Sequence, residues 1–374
     1  MMRIGISFHT HDDCISGVEH YSLGLIRGLL SVDQDNEYVV YTNKPRLLKM
    51  RTGTFDNLTV RTFEHLKSRI LRIYWEHFIL PRIAKKDHLS LLHCPHYITP
   101  LLRCGVPYVV TVHDTFALDH PDWCRIANRF NYGLFMPRAS FRADAIIAVS
   151  QQTRHALLNY KTRSDPVVIY PGVEDCFTVE GDPRRHAEIR QKYKLPDRFL
   201  LYVGNIEPKK NLMNLLKAYR LLKSKQVGYT LVLVGKRTWR QEGLWDYLRS
   251  NFSSDEILLT GYADREDLAG IYRLADLCVF PSLSEGFGFG PLEAMRCGTA
   301  VAASPTGILT ELPGESYCAV DPVNVLDIAE KICQMLGDSR QKRKQIGCAL
   351  KESCRFSWEA CARKTLALYR QTAA

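Results

Sequence analysis

Short apolar runs alternate along this chain with longer segments in which apolar residues recur every three or four positions. The short runs are apolar almost throughout, so they predict strands buried on both faces, and the longer segments predict helices. The predicted strands cover residues 4–8, 38–41, 91–93, 108–112, 145–149, 167–170, 199–203, 230–234, 257–259, 277–280 and 300–303. Buried strands that alternate with helices are typical of parallel sheets covered on both faces, so we expect an α/β fold.

The predicted strands are numerous enough for two doubly wound parallel sheets. A chain of 374 residues is also long enough to form two separate hydrophobic cores. A turn at 170–173 ends the first set of strands. We therefore predict two Rossmann-like domains, residues 1–173 and 174–355, followed by a C-terminal segment, 356–374, that contains an amphipathic helix.

The composition indicates which kinds of partner to expect and in which cellular compartment the protein lies. Hydrophobic residues make up 46% and charged residues 24% of the sequence, which is typical of globular proteins. The formal net charge of +10 favours anionic partners such as nucleotide phosphates, an acidic lipid surface or nucleic acid. None of the 12 cysteines forms a Cys-x-x-Cys motif, and several lie in apolar strands, which indicates buried free thiols in a reducing compartment.

The sequence contains no apolar run close to the roughly 20 residues that a membrane-spanning helix needs. Its first residues lead directly into the strand at 4–8, so we expect no signal peptide and a cytoplasmic location. A basic segment, 61–86, has apolar residues at 66, 70, 73 and 77/78, with Arg72 off that face. It could bind an anionic membrane surface, which would place the protein at the inner membrane face. A core-facing helix with a solvated basic side is the alternative.

A glycine-rich loop follows the strand at 277–280. Its glycines are Gly286, Gly288 and Gly290, and the helix that follows is expected to begin at Pro291 and to end just before Gly298. The free N–H groups and the dipole of a helix N-terminus favour negative charge, so this junction can hold an anion. Because Pro291 interrupts the Gly-x-Gly-x-x-Gly pattern, the loop does not predict a dinucleotide site.

Two glutamates, Glu285 and Glu293, bracket this loop. Carboxylates beside a phosphate site are unfavourable unless they have another task, and accepting hydrogen bonds from sugar hydroxyls is such a task. The pattern favours a loop that holds the diphosphate of a nucleotide sugar, with one glutamate for each sugar. A flexible turn with a capping glutamate is one alternative, and a pair of glycoside-hydrolase carboxylates facing each other across one bond is another.

Other candidate residues follow predicted strands, where open parallel sheets bind their ligands. Gly17 lies in the loop after the first strand and permits close approach of a phosphate. His113 directly follows the strand at 108–112, which suits a site residue, although a structural histidine capped by Asp114 is the alternative. The pair Asp33 and Asp35 forms Asp-x-Asp, but it lies at the wrong end of a parallel sheet and indicates a solvated turn.

Two adjacent lysines follow the strand at 199–203. Lys209 and Lys210 could neutralise a diphosphate as point charges, or they could belong to a solvated basic turn. Tyr262 follows the strand at 257–259 and could flank a base, or it could form part of a simple turn.

The segment 284–295, with Glu285 and Glu293, resembles the Glu-x7-Glu signature of the retaining GT-B glycosyltransferases of family GT4. The resemblance extends over about residues 1–370. It implies two Rossmann-like domains with a cleft between them, an acceptor-side N-terminal domain, and a C-terminal helix that crosses back to that domain. It also implies that Glu285 contacts the donor sugar and that Glu293 contacts the nucleotide ribose.

The same resemblance places the loop of Gly17 over the donor phosphates, His113 at the transferred sugar and Lys210 at the diphosphate. The family's arginine after Gly204 is Asn205 here, and its frequent arginine before the lysine is Lys209. The candidate catalytic residues are His113, Lys210 and Glu285. The candidate donor-binding residues are Gly17, Gly204, Asn205, Lys209, Lys210, Tyr262, Glu285, Gly286, Phe287, Gly288 and Glu293.

The implied activity is transfer of a hexose from a GDP- or UDP-sugar to a hydroxyl of a glycan or lipid-linked acceptor, with retention at the anomeric carbon. Mannose from GDP-mannose is favoured, since 204–211 looks like that of bacterial polysaccharide mannosyltransferases, which act in cell-surface polysaccharide and lipopolysaccharide synthesis. The basic groups around Lys210 would stabilise the leaving diphosphate, so no metal and no cofactor are expected.

Three other functions remain compatible with parts of the sequence. A sugar-nucleotide epimerase of related two-domain fold would turn over the donor alone. A basic nucleic-acid-binding protein is disfavoured because the basic residues are not interleaved with a stacking platform. A catalytically silent partner subunit is disfavoured because Glu285, Glu293 and Lys210 are all present.

Overall fold

A computed structural model describes residues 1–9, 17–63, 69–103, 105–123, 126–224, 228–237 and 242–373, apart from the side chains of 69, 70, 126–128, 130 and 131. The chain forms two compact units. The first comprises residues 1–172 and 356–374, and the second comprises residues 173–355.

The first unit contains a parallel sheet with the strand order β3-β2-β1-β4-β5-β6-β7. Its strands are β1 (Arg3–Phe8), β2 (Glu37–Thr42), β3 (Leu58–Thr62), β4 (Leu91–Cys94), β5 (Tyr108–Val112), β6 (Ala145–Ala148) and β7 (Val167–Val168). Its helices before residue 173 are α1 (Gly17–Val32), α2 (Pro45–Thr52), α3 (Arg69–Tyr74), α4 (Leu80–Lys86), α5 (Phe116–Asp119), α6 (Ile126–Arg142) and α7 (Gln151–Leu158). The order reverses between β1 and β4, which makes this the switch point of a doubly wound sheet.

The second unit repeats the architecture with six parallel strands in the order β10-β9-β8-β11-β12-β13. The strands are β8 (Phe199–Val203), β9 (Thr230–Val234), β10 (Ile257–Gly261), β11 (Leu277–Phe280), β12 (Val301–Ala303) and β13 (Cys318–Ala319). The helices are α8 (Pro183–Tyr193), α9 (Leu212–Ser224), α10 (Glu242–Asn251), α11 (Arg265–Leu274), α12 (Phe289–Arg296), α13 (Val325–Gly337) and α14 (Ser339–Ser353). Here the switch point lies between β8 and β11.

The last helix, α15 (Trp358–Ala373), belongs to the first unit. Its Trp358 fits against two glycines of α1. A Cβ at Gly24 would lie 2.1 Å from the Trp358 ring, and one at Gly28 would lie 2.7 Å from the Trp358 carbonyl oxygen. Gly172 leaves room on the other side, where a Cβ would meet the Trp358 backbone nitrogen at 2.1 Å. Larger residues at these three positions would displace α15.

Each predicted strand overlaps an observed one, because most of the continuous apolar runs are buried in a sheet; the edge strands β7 and β10 are only partly buried. The strands β3 and β13 were not predicted. β3 is an edge strand with mostly exposed residues, and β13 has only two residues, so neither carries a continuous apolar signal. The described helices include none that is both long enough and apolar enough to cross a membrane.

Two sequence expectations about polar positions in the first unit are wrong. Arg72, expected off the apolar face of segment 61–86, is buried; residue 77 or 78 was expected on that face, and His77 is buried whereas Phe78 is exposed. The side chains of 66 and 70 lie outside the described residues. A π-helical turn, Trp75–Ile79, follows α3, and its wider winding rotates the later residues relative to a regular α-helix. Asp33, expected in a solvated turn, is buried and accepts hydrogen bonds from Asn36 and from the hydroxyl of Tyr38.

Candidate active site

Three glycines lie at the carboxyl ends of β8, β9 and β10. Gly204, Gly235 and Gly261 have φ values of 152°, 149° and 76°, which side chains rarely adopt. The Gly235 N–H donates to the Gly261 carbonyl at 2.8 Å, and a Cβ at Gly235 would lie 2.0 Å from the Gly204 oxygen. The backbones at this edge are therefore packed too closely for any other residue at 235.

A cavity of about 460 Å³ is lined by two of these glycines, Gly235 and Gly261. Its lining is apolar at Ile206, Leu233 and Leu259 and polar at Lys236, Arg237, Thr260 and Tyr262. Apolar walls with a few convergent polar groups are typical of small-molecule sites. Tyr262 was predicted, whereas Lys236 and Arg237 were not, because a basic pair after a strand has no distinctive spacing.

Lys210 and Glu285 form an ion pair in the second unit. The Lys210 ammonium lies 2.6 and 2.8 Å from the two carboxylate oxygens of Glu285, and the side chains are only 19% and 13% exposed. The hydroxyl of Ser282 donates to the same carboxylate at 2.7 Å. The two predicted residues thus hold each other in place.

Burial of Glu285 would raise the pKa of its carboxyl, but the charges of Lys210 and Lys209 and the hydrogen bonds outweigh it and lower the pKa below the ordinary value. Because the folded-state value is depressed, the pair stabilises the fold fully above the ordinary glutamate pKa. That contribution is lost as the pH falls through the lowered value. Near neutral pH the site therefore carries an ionised Glu285.

Hydrogen bonds fasten the lysine segment to the glycine-rich loop. Asn211, which has φ of 59°, donates from its side-chain amide to the carbonyls of Pro281 and Pro322 at 3.0 and 2.7 Å. The Leu283 N–H donates to the Lys209 carbonyl at 2.8 Å. Because β8 and β11 are neighbours, the loops that follow them meet at the switch point of the sheet. This brings Lys209 and Lys210 to the loop that carries Glu285.

The helix after the glycine-rich loop begins earlier than expected. α12 starts at Phe289, two residues before Pro291, and Gly288 caps it with φ of 94°. Gly298 has φ of 73° just beyond the helix, where its N–H donates to the Met295 carbonyl. The predicted end is therefore confirmed, whereas the predicted start is wrong because the left-handed Gly288 already turns the chain into the helix.

A turn that sequence reasoning missed supports the loop from the other side. The Ile308 N–H donates to the Phe287 carbonyl at 2.7 Å. Gly307, with φ of 60°, lies so close that a Cβ would meet the Phe287 oxygen at 2.4 Å. Phe287 itself is buried and packs against Phe289 at 5.1 Å between ring centroids. The loop is therefore held in one conformation from both sides.

Glu293 is buried at 2% exposure and faces Arg265. The Arg265 guanidinium lies 2.7 Å from Glu293 and 3.0 Å from Glu174, and it stacks on the Phe177 ring at 4.5 Å. The Tyr272 hydroxyl donates to the second Glu293 oxygen at 3.2 Å. Arg265 had no sequence signal, because its two partners are distant along the chain. The ribose contact of Glu293 stays a prediction.

The other two candidate residues lie in the first unit. Gly17 begins α1, and residues 10–16 of its loop lie outside the described residues. His113 follows β5, and its Nε2 lies 2.9 Å from the Pro95 carbonyl, so Nε2 carries the proton. Burial lowers the pKa of His113, which favours the neutral ring with an acceptor lone pair on Nδ1. The ring edge packs against Tyr21 at 4.8 Å.

Of the remaining predicted residues, Gly286 is buried in the loop after β11 and Asn205 is exposed after β8. The second unit thus brings together Lys209, Lys210, Glu285 and the loop glycines. Gly204 follows β8 and Tyr262 follows β10, the two strands that flank β9.

The sequence matches two families of known enzymes. Residues 15–176 match the family described as Glycosyltransferase Family 4, and residues 185–352 match Glycosyl transferases group 1. O-antigen chain mannosyltransferase B of Escherichia coli is 37% identical over 371 residues, which cover 95% of this chain and 96% of that protein. The serotype-specific mannosyltransferase WbdA of Escherichia coli is 37% identical over 277 residues, 71% of this chain. The chain spans about a third of WbdA, since that match covers 34% of its length.

Solved structures share the fold at lower identity. The crystal structure of HepE from Anabaena in complex with UDP and glucose superposes with a TM-score of 0.75 at 17% identity, covering 99% of this chain and 100% of that one. WaaG, a glycosyltransferase involved in lipopolysaccharide biosynthesis, gives a TM-score of 0.74 at 14% identity, covering 98% and 99%. These structures confirm the predicted GT-B architecture of two Rossmann-like parallel-sheet domains. With the match to mannosyltransferase B over nearly its whole length, they show that this chain belongs to glycosyltransferase family 4.

Proposed function

We propose that the protein transfers a hexose from a nucleoside diphosphate sugar to a hydroxyl group of a glycan or lipid-linked acceptor, with retention at the anomeric carbon. The observation that carries this proposal is the pair formed by Lys210 and Glu285 beside the glycine-rich loop. A cation, a sugar-binding carboxylate and a helix N-terminus then converge where a sugar diphosphate would lie.

The hard step of this reaction is departure of the diphosphate. Lys210, with Lys209 beside it, would stabilise the negative charge that develops on the leaving oxygen. Glu285 would then exchange its contact with Lys210 for the hydroxyls of the donor sugar. We propose that these groups perform the reaction without a metal ion, and that the leaving phosphate takes the proton of the acceptor hydroxyl.

We propose mannose from GDP-mannose as the donor. The relative that aligns with 95% of this chain is named a mannosyltransferase. The cavity at the ends of β8, β9 and β10 also presents Lys236 and Arg237. Guanine offers the acceptors O6 and N7, which lysine and arginine bind well, whereas uracil lacks this pair.

A melting experiment tests the donor. At 100 times its dissociation constant, GDP-mannose should stabilise the protein by about 2.7 kcal/mol and raise its melting temperature. Matched concentrations of UDP-glucose and UDP-mannose should give smaller shifts. Stabilisation by UDP-sugars alone would refute the guanine preference, and no shift with any nucleotide sugar would refute the proposed function. Turnover of the donor without an acceptor into an epimer would identify an epimerase instead.

We also propose that segment 61–86 binds an anionic membrane surface, which would hold the protein near lipid-linked acceptors. Residues 64–68 lie outside the described residues. In the rest, Leu71, Tyr74 and Phe78 are exposed along one helical stripe, which continues into exposed basic residues at Arg82 and Lys85. An apolar stripe next to cations is typical of an interfacial helix.

Vesicle sedimentation tests this surface. Each basic residue near an anionic surface contributes about 1 kcal/mol. The double variant Lys85→Ala, Lys86→Ala should therefore bind phosphatidylglycerol vesicles about 30-fold more weakly than the wild type. Lys217→Ala, an exposed lysine on α9, is the matched control and should bind normally. Equal binding to vesicles with and without phosphatidylglycerol would contradict the proposal.

A further inference from the structure

A second group of chemistry-bearing residues lies in the first unit, at the switch point of its sheet. His9, His96 and His113 come just after the ends of β1, β4 and β5, three strands that are neighbours in the sheet. In open parallel sheets a ligand binds beyond the carboxyl ends of the strands where the order reverses. The reversal here lies between β1 and β4, so His9 and His96 flank it.

A buried carboxylate completes this group. Glu76 lies on the π-helical turn Trp75–Ile79, and its Oε1 is 3.6 Å from Nε2 of His96. The side chain of Glu76 is 8% exposed and that of His96 is 17% exposed. A π-helical turn is frequent at functional sites because its extra residue re-aims the side chains that follow.

The surroundings keep Glu76 ionised. Burial alone would raise its pKa, but His96, His9 and Arg72 together lower the pKa to about 2. The Trp75 indole, whose ring packs against His9 at 4.7 Å, is buried, and its N–H has no hydrogen-bond partner within the described ranges. The switch point thus holds the ionised carboxylate of Glu76 as a hydrogen-bond acceptor and the partly exposed imidazole of His96. Beside His9 it also holds the buried N–H of Trp75, which has no partner among the described groups.

These groups suit a saccharide better than a phosphate. A carboxylate can accept hydrogen bonds from two neighbouring hydroxyls, and an imidazole can donate to or accept from a third. A phosphate would meet the negative charge of Glu76. The nucleotide sugar already has its candidate place in the second unit at Lys210 and Glu285, which leaves this site for the other substrate.

We propose that Glu76 and His96 bind the hydroxyls of a single terminal pyranose of the acceptor. This inference rests on the proposed glycosyl transfer, but it concerns residues to which neither the sequence nor the family resemblance assigned a role. Glu76 and His96 act here by binding and orienting the acceptor.

Direct binding, measured without a donor, tests this site. Octyl α-mannoside, α-glucoside and α-galactoside are titrated into the wild type and followed by saturation-transfer NMR. At least one should bind the wild type, and Glu76→Gln should weaken that binding at least tenfold while the melting shift with GDP-mannose stays the same. His96 is more exposed than Glu76, and His96→Asn should also weaken the binding of the pyranoside. It provides the test if Glu76→Gln does not fold.

The matched control is Glu37→Gln on β2 of the same sheet, where the carboxylate pairs with Arg3 at the surface. This variant should bind the pyranoside like the wild type. Pyranoside binding that is unchanged in the Glu76 and His96 variants, or absent from the wild type for the whole panel, overturns the inference. These measurements need no turnover of the donor. A failure of the acceptor-site inference, seen as unchanged or absent pyranoside binding, can therefore be told apart from a failure of the proposed function, seen as the absence of any nucleotide-sugar binding.

Discussion

Replacing Lys210 by alanine is expected to reduce kcat for hexose transfer by a factor of about 10² to 10³, as happens when one preorganised group that stabilises developing negative charge is removed. The reason is geometric. The ammonium group is held 2.6 Å from Glu285 on a segment that Asn211 ties to the neighbouring loop. Initial rates at saturating GDP-mannose and acceptor give the value, and melting curves show whether the variant is folded.

Two further variants test whether the loss of activity comes from the positive charge at position 210. Lys210→Arg keeps the charge, so it should lose less activity than Lys210→Ala. Lys217→Ala removes an exposed lysine of α9, seven residues away along the chain, and should turn over at the wild-type rate. Wild-type turnover by a folded Lys210→Ala protein would contradict the role assigned to the lysine.

The second large effect is on stability and concerns Arg265. Its guanidinium is the cation between the buried carboxylate of Glu293 and that of Glu174. Arg265→Ala removes the cation that both carboxylates contact and leaves the charge of Glu293 buried at 3% side-chain exposure. Breaking a buried ion pair in this way costs about 3–5 kcal/mol. We expect this loss in the free energy of unfolding of the second unit, measured by urea denaturation at neutral pH.

A double-mutant cycle separates the ion pair from packing. Combining Arg265→Ala with Glu293→Gln should recover part of the lost stability, because the remaining buried charge is then removed. Arg220→Ala, on the exposed face of α9, is the control and should change stability by less than about 0.5 kcal/mol. A loss of that small size for Arg265→Ala would show that the carboxylates are not held by this cation.

The fold was predictable because its signal is local. A parallel strand covered on both faces must be apolar along its whole length, so a run such as 199–203 can be recognised as a strand from the sequence. The edge strand β3 is mostly exposed, so it need not be apolar and has no such run. The π-helical turn at Trp75–Ile79 was also unpredictable, since one extra residue in a helix leaves no mark on composition.

The candidate site was predictable residue by residue but not as an arrangement. Glu285 and Lys210 each follow a strand, yet 75 residues separate them, and only the adjacency of β8 and β11 makes them partners. Gly307 and Arg265 carry no local pattern at all. Gly307 supports the loop at Phe287, twenty residues earlier, and Arg265 neutralises Glu293 on α12. Their importance is therefore set by tertiary contacts alone.

The docking of Trp358 between Gly28 and Gly172 has a consequence for biosynthesis. The first unit needs α15 to cover α1, but that helix leaves the ribosome only after all of residues 173–355 have been made. All residues of the second unit are therefore synthesised before α15 can cover α1, and until then the glycine surface of α1 stays uncovered. The first unit is thus begun first, but its helix layer is completed only after the whole second unit has been synthesised.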